Sequence, residues 1–311
     1  RPRDAVPEAL TRGHGGRDGR TMNELAEWDI VSGVGITALG VAAGRARVTH
    51  RDGGLVSDPY ADAFVEAAAP PVPMPTRLEA AEDLGIPWAE MADYMGVRSR
   101  FFDDYFVAAG DAGIDQMVLL AAGLDVRAYR LDWRSGTTVY ELDAPKVLAF
   151  KDDVLVEQGA SPRSDRRVVA VDLREPWVVP LQDKGFDRTR PSAWLAEGLM
   201  PFLPNPAKEQ LLGSVTDLST SGSRVCIEHI DDVRGMQQEP QFQDMSRRFG
   251  IDMATLWPDE PDFDTVGWLT GHGWDVEAVR SADVAARWGR TLASPDQEPG
   301  RSSLFVTAVR R

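Results

Sequence analysis

Five positions in this 311-residue sequence combine residue type and spacing in a way that suits a polar ligand: Arg98, Gly123, Asp143, Asp172 and Glu197. Gly123 follows the apolar run Gln116 to Ala122, where a residue without a side chain lets a ligand approach the backbone closely. Asp143 lies 20 residues further on, behind the run Thr138 to Leu142, the spacing at which an acid reaches a ribose hydroxyl. Glu141 is the second choice for that contact. Asp172, near the end of Arg167 to Leu173, suits an adenine amino group. Glu197 lies in Ala193 to Leu199, a run apolar on both sides. An unpaired carboxylate there costs several kcal/mol, so a base of the protein or a ligand ammonium must meet it.

Arg98 repeats that logic with the opposite sign. Arg100 has Asp103 and Asp104 three and four residues on, and a helix-surface ion pair accounts for it. Arg98 has Tyr94, Met95, Phe101 and Phe102 at those offsets, so its partner must come from elsewhere, and a carboxylate suits its forked donors. Each residue also has a plain structural reading: a turn glycine, capping acids, an arginine stacked on Phe102. Three successive strand ends carrying an acid at one sheet edge, the first with the glycine, favour a ligand. A molecule with adenine, ribose, an ammonium and a carboxylate would satisfy all five positions, and S-adenosylmethionine (SAM) has those groups.

The elements that must position these residues show in the hydrophobic pattern. Residues 21–111 read as helical, broken at Gly53-Gly54, Pro59 and Pro70 to Pro75. From residue 112 short apolar runs alternate with helical stretches. Three more such runs, Arg224 to Ile230, Trp274 to Val279 and Ser303 to Val309, bring the expected strands to seven. Strands apolar on both faces and alternating with helices predict an α/β fold with a doubly wound, mostly parallel sheet. The last two runs, separated by the helical patch Ser281 to Trp288 and a turn at Pro295 to Gly300, permit a final antiparallel strand. Ligands bind beyond the carboxyl ends of such strands, where Gly123, Asp143, Asp172 and Glu197 fall.

Composition narrows the function. Lys and Arg total 34 against 49 Asp and Glu, a net charge of −15. Residues 1–51 carry eight basic and six acidic groups, so the rest of the chain is strongly acidic and a poor match to nucleic acid. The single cysteine, Cys226, excludes an intramolecular disulfide and a CxxC zinc site. Its count suits a reducing, cytoplasmic setting. No run has the length of a membrane span and no signal-peptide pattern opens the sequence. Residues 1–20, rich in Arg and Gly, read as a disordered tail.

The runs Gln116-Met117-Val118-Leu119-Leu120-Ala121-Ala122-Gly123-Leu124-Asp125-Val126-Arg127, Val139-Tyr140-Glu141-Leu142-Asp143-Ala144-Pro145, Val171-Asp172-Leu173-Arg174 and Pro191-Ser192-Ala193-Trp194-Leu195-Ala196-Glu197-Gly198-Leu199 together resemble the leucine carboxyl methyltransferase-like family. The resemblance is strongest to its bacterial SAM-dependent branch. Trp28-Asp29-Ile30-Val31 and Asp58-Pro59-Tyr60-Ala61 match as well, and the resemblance covers roughly 22–230. It implies a class I methyltransferase fold: a helical cap or lid over 21–111 and a SAM-binding domain over 112–311. It implies Arg98 for the SAM carboxylate and Gly123 beside the methionine part. Asp143 then falls at the ribose, Asp172 and Leu173 at the adenine, and Glu197 near the amino group. The acceptor it implies is a small metabolite, polyketide-like, with a carboxylate or hydroxyl. Two departures stand out: Ala121 where relatives have Gly, and Phe202 where they have Tyr.

Of the four histidines, only His229 lies near a strand end, and it is the candidate general base. The competing readings are an NAD(P)-dependent oxidoreductase on a related fold, for which the GxGxxG fingerprint is missing, and a non-catalytic SAM-binding protein. S-adenosylhomocysteine (SAH) is expected to raise the melting temperature, as linkage requires, and NAD is not. A shift with NAD and none with SAH at millimolar ligand reverses the assignment.

Overall fold

The computed structural model describes residues 30–31, 34–77, 79, 88–238, 240–248, 256–292 and 303–311. The expected tail at 1–20, the start of the cap and the turn Pro295 to Gly300 lie outside them. Seven strands form one sheet: β1 (Gln116–Leu120), β2 (Thr138–Asp143), β3 (Asp165–Ala170), β4 (Ser192–Ala196), β5 (Arg224–Ile230), β6 (Trp274–Arg280) and β7 (Ser303–Arg310). Their order is β3-β2-β1-β4-β5-β7-β6. The pairs among β1 to β5 are parallel, whereas β7 runs antiparallel to both β5 and β6. The final antiparallel strand is therefore present, inserted between two strands that precede it. The direction of winding reverses between β1 and β4, so the crevice at a switch point lies beyond Leu120 and its register partner Ala196.

Alternation along each strand divides the core in two. Met117 and Leu119, Ala193 and Leu195, Cys226 and Phe305 face one side. Val118 and Leu120, Trp194 and Ala196, Val225 and Ile227, Val306 and Ala308 face the other. The first side is covered by α1 (Val34–Thr49), α2 (Ala61–Ala68), α3 (Trp88–Asp111) and α5 (Pro145–Glu157), the short α4 (Arg127–Arg130) following β1. The second is covered by α6 (Val178–Asp183), α7 (Asn205–Asp217) and, after α8 (Val233–Gln238) and α9 (Pro240–Arg248), by α10 (Thr265–Gly271). α11 (Ser281–Arg287) joins β6 to the last strand's side of the first layer.

Local chemistry starts several of these helices. Pro145 occupies the first turn of α5, where its fixed φ is helical and its missing N–H is no loss. The Asp264 side chain caps α10 through the Gly267 N–H. In the N-terminal segment, the glycines and alanines of α1 let it lie close on α3. A Cβ at Gly44 would stand 2.6 Å from Met95 Cγ. These small residues thus serve a tight helix pair, with Leu39, Ala42, Ala43 and Ala46 sealed from solvent. α3 in turn lies on the sheet: Phe102, Tyr105, Phe106 and Ala109 enter the first core, and the Tyr105 hydroxyl donates to the Trp194 carbonyl at 3.0 Å.

Two expectations from the sequence do not hold. The third strand ends at Ala170, so Asp172 and Leu173 sit on the loop beyond it and not on the strand. Glu141 is no second ribose ligand. It is sealed inside the first core, where Oε2 accepts from Lys151 Nζ at 2.9 Å and Arg166 Nε at 2.8 Å. Lys151 is equally buried, and Glu141 is its acid partner. Glu141→Leu is expected to cost about 3–5 kcal/mol in urea unfolding, because it leaves a buried ammonium unpaired. The double variant Glu141→Leu/Lys151→Met is expected to recover most of that loss. A double variant as unstable as the single one would mean that Lys151 is not what the carboxylate neutralises.

Candidate functional site

Register brings the carboxyl ends of β1, β2 and β4 level, with Leu120 paired to both Leu142 and Ala196. The residues just beyond these strands therefore lie along one edge. After β1 the chain turns sharply: Ala121 has φ +53° and Gly123 φ +47°. Both are left-handed, a region that costs a non-glycine residue roughly 1–2 kcal/mol. Asp143 braces this turn, its two oxygens accepting from the Gly123 N–H and the Ala144 N–H, each at 2.6 Å. Burial raises the Asp143 pKa and those backbone donors pull it back. Among the described residues a Cβ on Gly123 would meet only Ala38 Cβ, at 3.8 Å, which leaves the other side of the glycine open among them.

The acid and base singled out as zwitterion ligands stand together. Arg98 Nε lies 3.0 Å from Glu197 Oε1, and Arg98 Nη2 lies 3.1 Å from Glu228 Oε2. Of the partners the sequence leaves open to these charges, the protein or a ligand, the fold supplies the first: they form an ion pair with each other. The pair is loosely aligned, for the buried Arg98 Nε–H has no acceptor in hydrogen-bond geometry among the described residues. Glu197 has a second partner, Arg127 Nη1, which donates to Oε2 at 2.7 Å. Arg127 also donates to Asp103 at 2.7 Å and pairs with Asp125, while Arg130 grips Asp103 with two donors at 2.6 Å. That leaves Arg100 to Asp104 at 2.8 Å, the helix-surface pair expected of it.

Burial on its own would lower the arginine pKa values. The acids reverse this, so Arg98 is raised by Glu228 and Glu197, and Arg127 is raised further by Asp125, Glu197 and Asp103. Asp125 is held low by Arg127 against its own burial. Three guanidinium groups thus face four carboxylates, a local excess of one negative charge.

Asp172 is partly exposed and engaged by Arg174, whose Nε lies 2.9 Å from Oδ1. That hydrogen bond lowers its pKa. Leu173 is half-buried against the second core beside Val171 and Ala121, which leaves an apolar wall on the exit from β3. His229 points to the opposite face of the sheet from Glu228. Its Nε2 is 3.1 Å from Asp231 Oδ1 and its Nδ1 is 3.1 Å from Thr265 Oγ1. Burial lowers its pKa and Asp231 opposes the shift, the balance favouring the neutral ring. It lines a cavity with Met200, Pro201, Lys208, Phe263 and Thr265. Cys226 is buried and its thiol pKa is pushed well up by burial, which suits inert core.

The structure also assembles groups that sequence reasoning passed over: Glu228, Tyr94, Arg127, Asp103 and Gly198. For Glu228 a signal existed, an acid in the apolar run Cys226-Ile227-Glu228-His229-Ile230, the same anomaly that marked Glu197.

A doubly wound sheet whose last strand enters antiparallel between β5 and β6 is the class I methyltransferase fold. A sequence profile of leucine carboxyl methyltransferase matches residues 38–216. A protein of Saccharopolyspora erythraea, provisionally named an S-adenosyl-L-methionine-dependent methyltransferase, is 47% identical over 291 residues, which span 93% of this chain and all of that protein. A Rhodococcus jostii protein with the same provisional name is 44% identical over 91% of this chain and 98% of its own length. Among solved structures, a provisionally named methyltransferase from Thermobifida fusca shares the fold with TM-score 0.52 at 17% identity, covering 88% of this chain and 94% of that one. The chain belongs to the leucine carboxyl methyltransferase family, and its cofactor is SAM.

The residues present fit that cofactor. The open side of Gly123, the unaligned Nε–H of Arg98 and the local negative excess suit a molecule with one carboxylate and two cationic centres. Asp143→Ala is expected to weaken SAH binding by about 1–3 kcal/mol in calorimetry, the worth of a hydrogen bond to a charged group. It is expected to lower the melting temperature as well, since Gly123 loses its brace. SAH affinity equal to the parent protein's would remove Asp143 from the ribose position.

Proposed function

We propose that this SAM-dependent methyltransferase methylates an oxygen, carboxylate or hydroxyl, of a small and largely apolar metabolite such as a polyketide-like acid or phenol. The observation that carries this reading is the charge arrangement at the switch point, with Arg98 and Glu197 side by side next to the Gly123 turn. In this reading Arg98 faces the cofactor's carboxylate and Glu197 its ammonium. Asp143 faces the ribose, and Asp172 and the Leu173 wall face the adenine. When bound, the cofactor supplies an electrophilic methyl group on a sulfonium centre.

The acceptor side is assigned to the cavity beyond β4 and β5. Met200, Pro201 and Phe263 give it apolar walls, and Lys208, with its Nζ 5.9 Å from the Phe263 ring centre, provides a cation for an acidic acceptor. Burial lowers the Lys208 pKa, and Glu260 and Asp262 oppose that shift. Alignment is the largest contribution open to these residues, since orienting two reactants can supply roughly 7–11 kcal/mol. A carboxylate acceptor needs no proton removed. A hydroxyl does, and His229, with Nε2–H held by Asp231, is the group to take it, at Nδ1 in place of the Thr265 contact.

Incubation with methyl-labelled SAM and a panel of apolar acids and phenols is expected to yield labelled ester, released as methanol by alkali, or labelled ether, which resists it. Label on nitrogen or carbon acceptors alone would overturn the oxygen assignment. For a hydroxyl acceptor the rate is expected to fall as pH drops, with a midpoint below the ordinary histidine value of 6.5 because the His229 pKa is lowered. His229→Gln is expected to remove that limb for hydroxyl acceptors and leave carboxylate methylation largely unchanged.

A further inference from the structure

We infer that Glu228 is the positioning residue for Arg98: it holds the guanidinium at the sheet edge while the cofactor's amino-acid end displaces Arg98 from Glu197. The inference rests on the assignment of Arg98 and Glu197 to that end of the cofactor.

The two acids beside Arg98 differ in every respect that matters. Glu228 is sealed, its side chain 4% exposed, and is tied to two other elements. Its Oε1 accepts from the Tyr94 hydroxyl at 2.5 Å, from α3, and its Oε2 accepts from the Gly198 N–H at 2.7 Å, from the turn after β4. Tyr94 is fixed in turn by Ser303 Oγ of β7 at 2.8 Å. With its one proton given to Glu228, the phenol receives the serine hydroxyl's. Burial and the Glu228 charge raise the Tyr94 pKa well above the ordinary phenol value, so this donor is never lost at working pH. Gly198 has φ +65°, and a Cβ there would stand 2.8 Å from Arg98 Nη2, so the guanidinium occupies space that only a glycine leaves.

Glu197 is the more open acid, its side chain 12% exposed, and it lies beyond the end of β4 at the switch point. Its other oxygen is already held by Arg127. Opening the Arg98–Glu197 contact therefore strands neither charge, because Arg98 keeps Glu228 and Glu197 keeps Arg127. A zwitterion inserted between them offers a carboxylate to Arg98 and an ammonium to Glu197, so the opposite charge replaces each lost partner. A buried ion pair with no second partners would resist such an exchange, since parting it exposes two uncompensated charges.

Removing the Glu228 charge then has a specific consequence. In Glu228→Gln, Glu197 is the one anion left beside Arg98 among the described residues, and the exchange must break that pair. Calorimetry on the full chain with SAH and with 5′-methylthioadenosine, which has the nucleoside and sulfur but no amino-acid end, reads this out. Glu228→Gln is expected to lose about tenfold or more in SAH affinity, the scale of a charge-assisted contact, with 5′-methylthioadenosine changed less than about twofold. Glu228→Asp, which keeps the charge, is expected to retain most of the preference. Equal losses for both ligands would make Glu228 a merely structural residue, and no loss for either would make it irrelevant to Arg98; each overturns the inference. Should Glu228→Gln not fold, Tyr94→Phe decides, with a smaller loss expected for SAH alone and unchanged affinity counting against the inference. A parent protein that does not prefer SAH to 5′-methylthioadenosine would defeat the underlying assignment, whereas a parent preference left intact in Glu228→Gln defeats this inference only.

Discussion

A carboxylate or guanidinium taken out of water must be met by opposite charge, and at the carboxyl edge of this sheet that requirement organises the surrounding elements. Glu197 stands between Arg98 of α3 and Arg127 at the start of α4, and Arg127 reaches Asp103, again on α3. One connected set of charges therefore fixes how α3 lies over the sheet and where the turn after β1 goes. The apolar packing of Phe102, Tyr105 and Phe106 holds α3 down, and the paired charges add contacts of defined direction and reach. The site and the position of the covering helix are thus set by the same contacts.

Adjacent residues at the end of β5 divide the chemistry between the two faces of the sheet. Glu228 turns toward α3 and the Arg98–Glu197 pair, and His229 turns toward the cavity under α7 and α10. The alternation of a strand does this without any special backbone. A one-residue slip of β5 against β4 would exchange the faces and place the histidine among the arginines, so the register Leu195 to Cys226 carries function as well as packing.

The strands are legible in the sequence because their signal is local. The run Arg224 to Ile230 coincides with β5, and the other runs differ from their strands by a residue or a few. β3 is displaced furthest, since Asp165 and Arg166 read as a polar boundary, although Arg166 is paired in the fold with Glu141 and has its guanidinium over the Tyr129 ring. The motifs that mark Gly123, Asp143 and Glu197 are equally local. Pairing at a distance is not legible: Arg98 with Glu197, Lys151 with Glu141, Tyr94 with Glu228. An unpaired look in sequence says that a partner exists, and only the fold says whether protein or ligand provides it. The sequence resemblance fades past residue 230, yet relatives align over more than nine-tenths of the chain, because the late segment supplies sheet structure with few marked residues.

β7 is the last strand in chain order and fills the gap between β5 and β6. Synthesis proceeds from the N-terminus, so until residues 303–310 emerge, β5 presents a row of unpaired backbone groups and β6 has no neighbour in the sheet. The same strand brings Ser303 to Tyr94. A nascent chain without it has both its stickiest edge open and the support of Arg98 incomplete. The hydrogen-bonded chain Ser303–Tyr94–Glu228 and the cover over the β5 edge therefore arrive together, with the closing of a single strand.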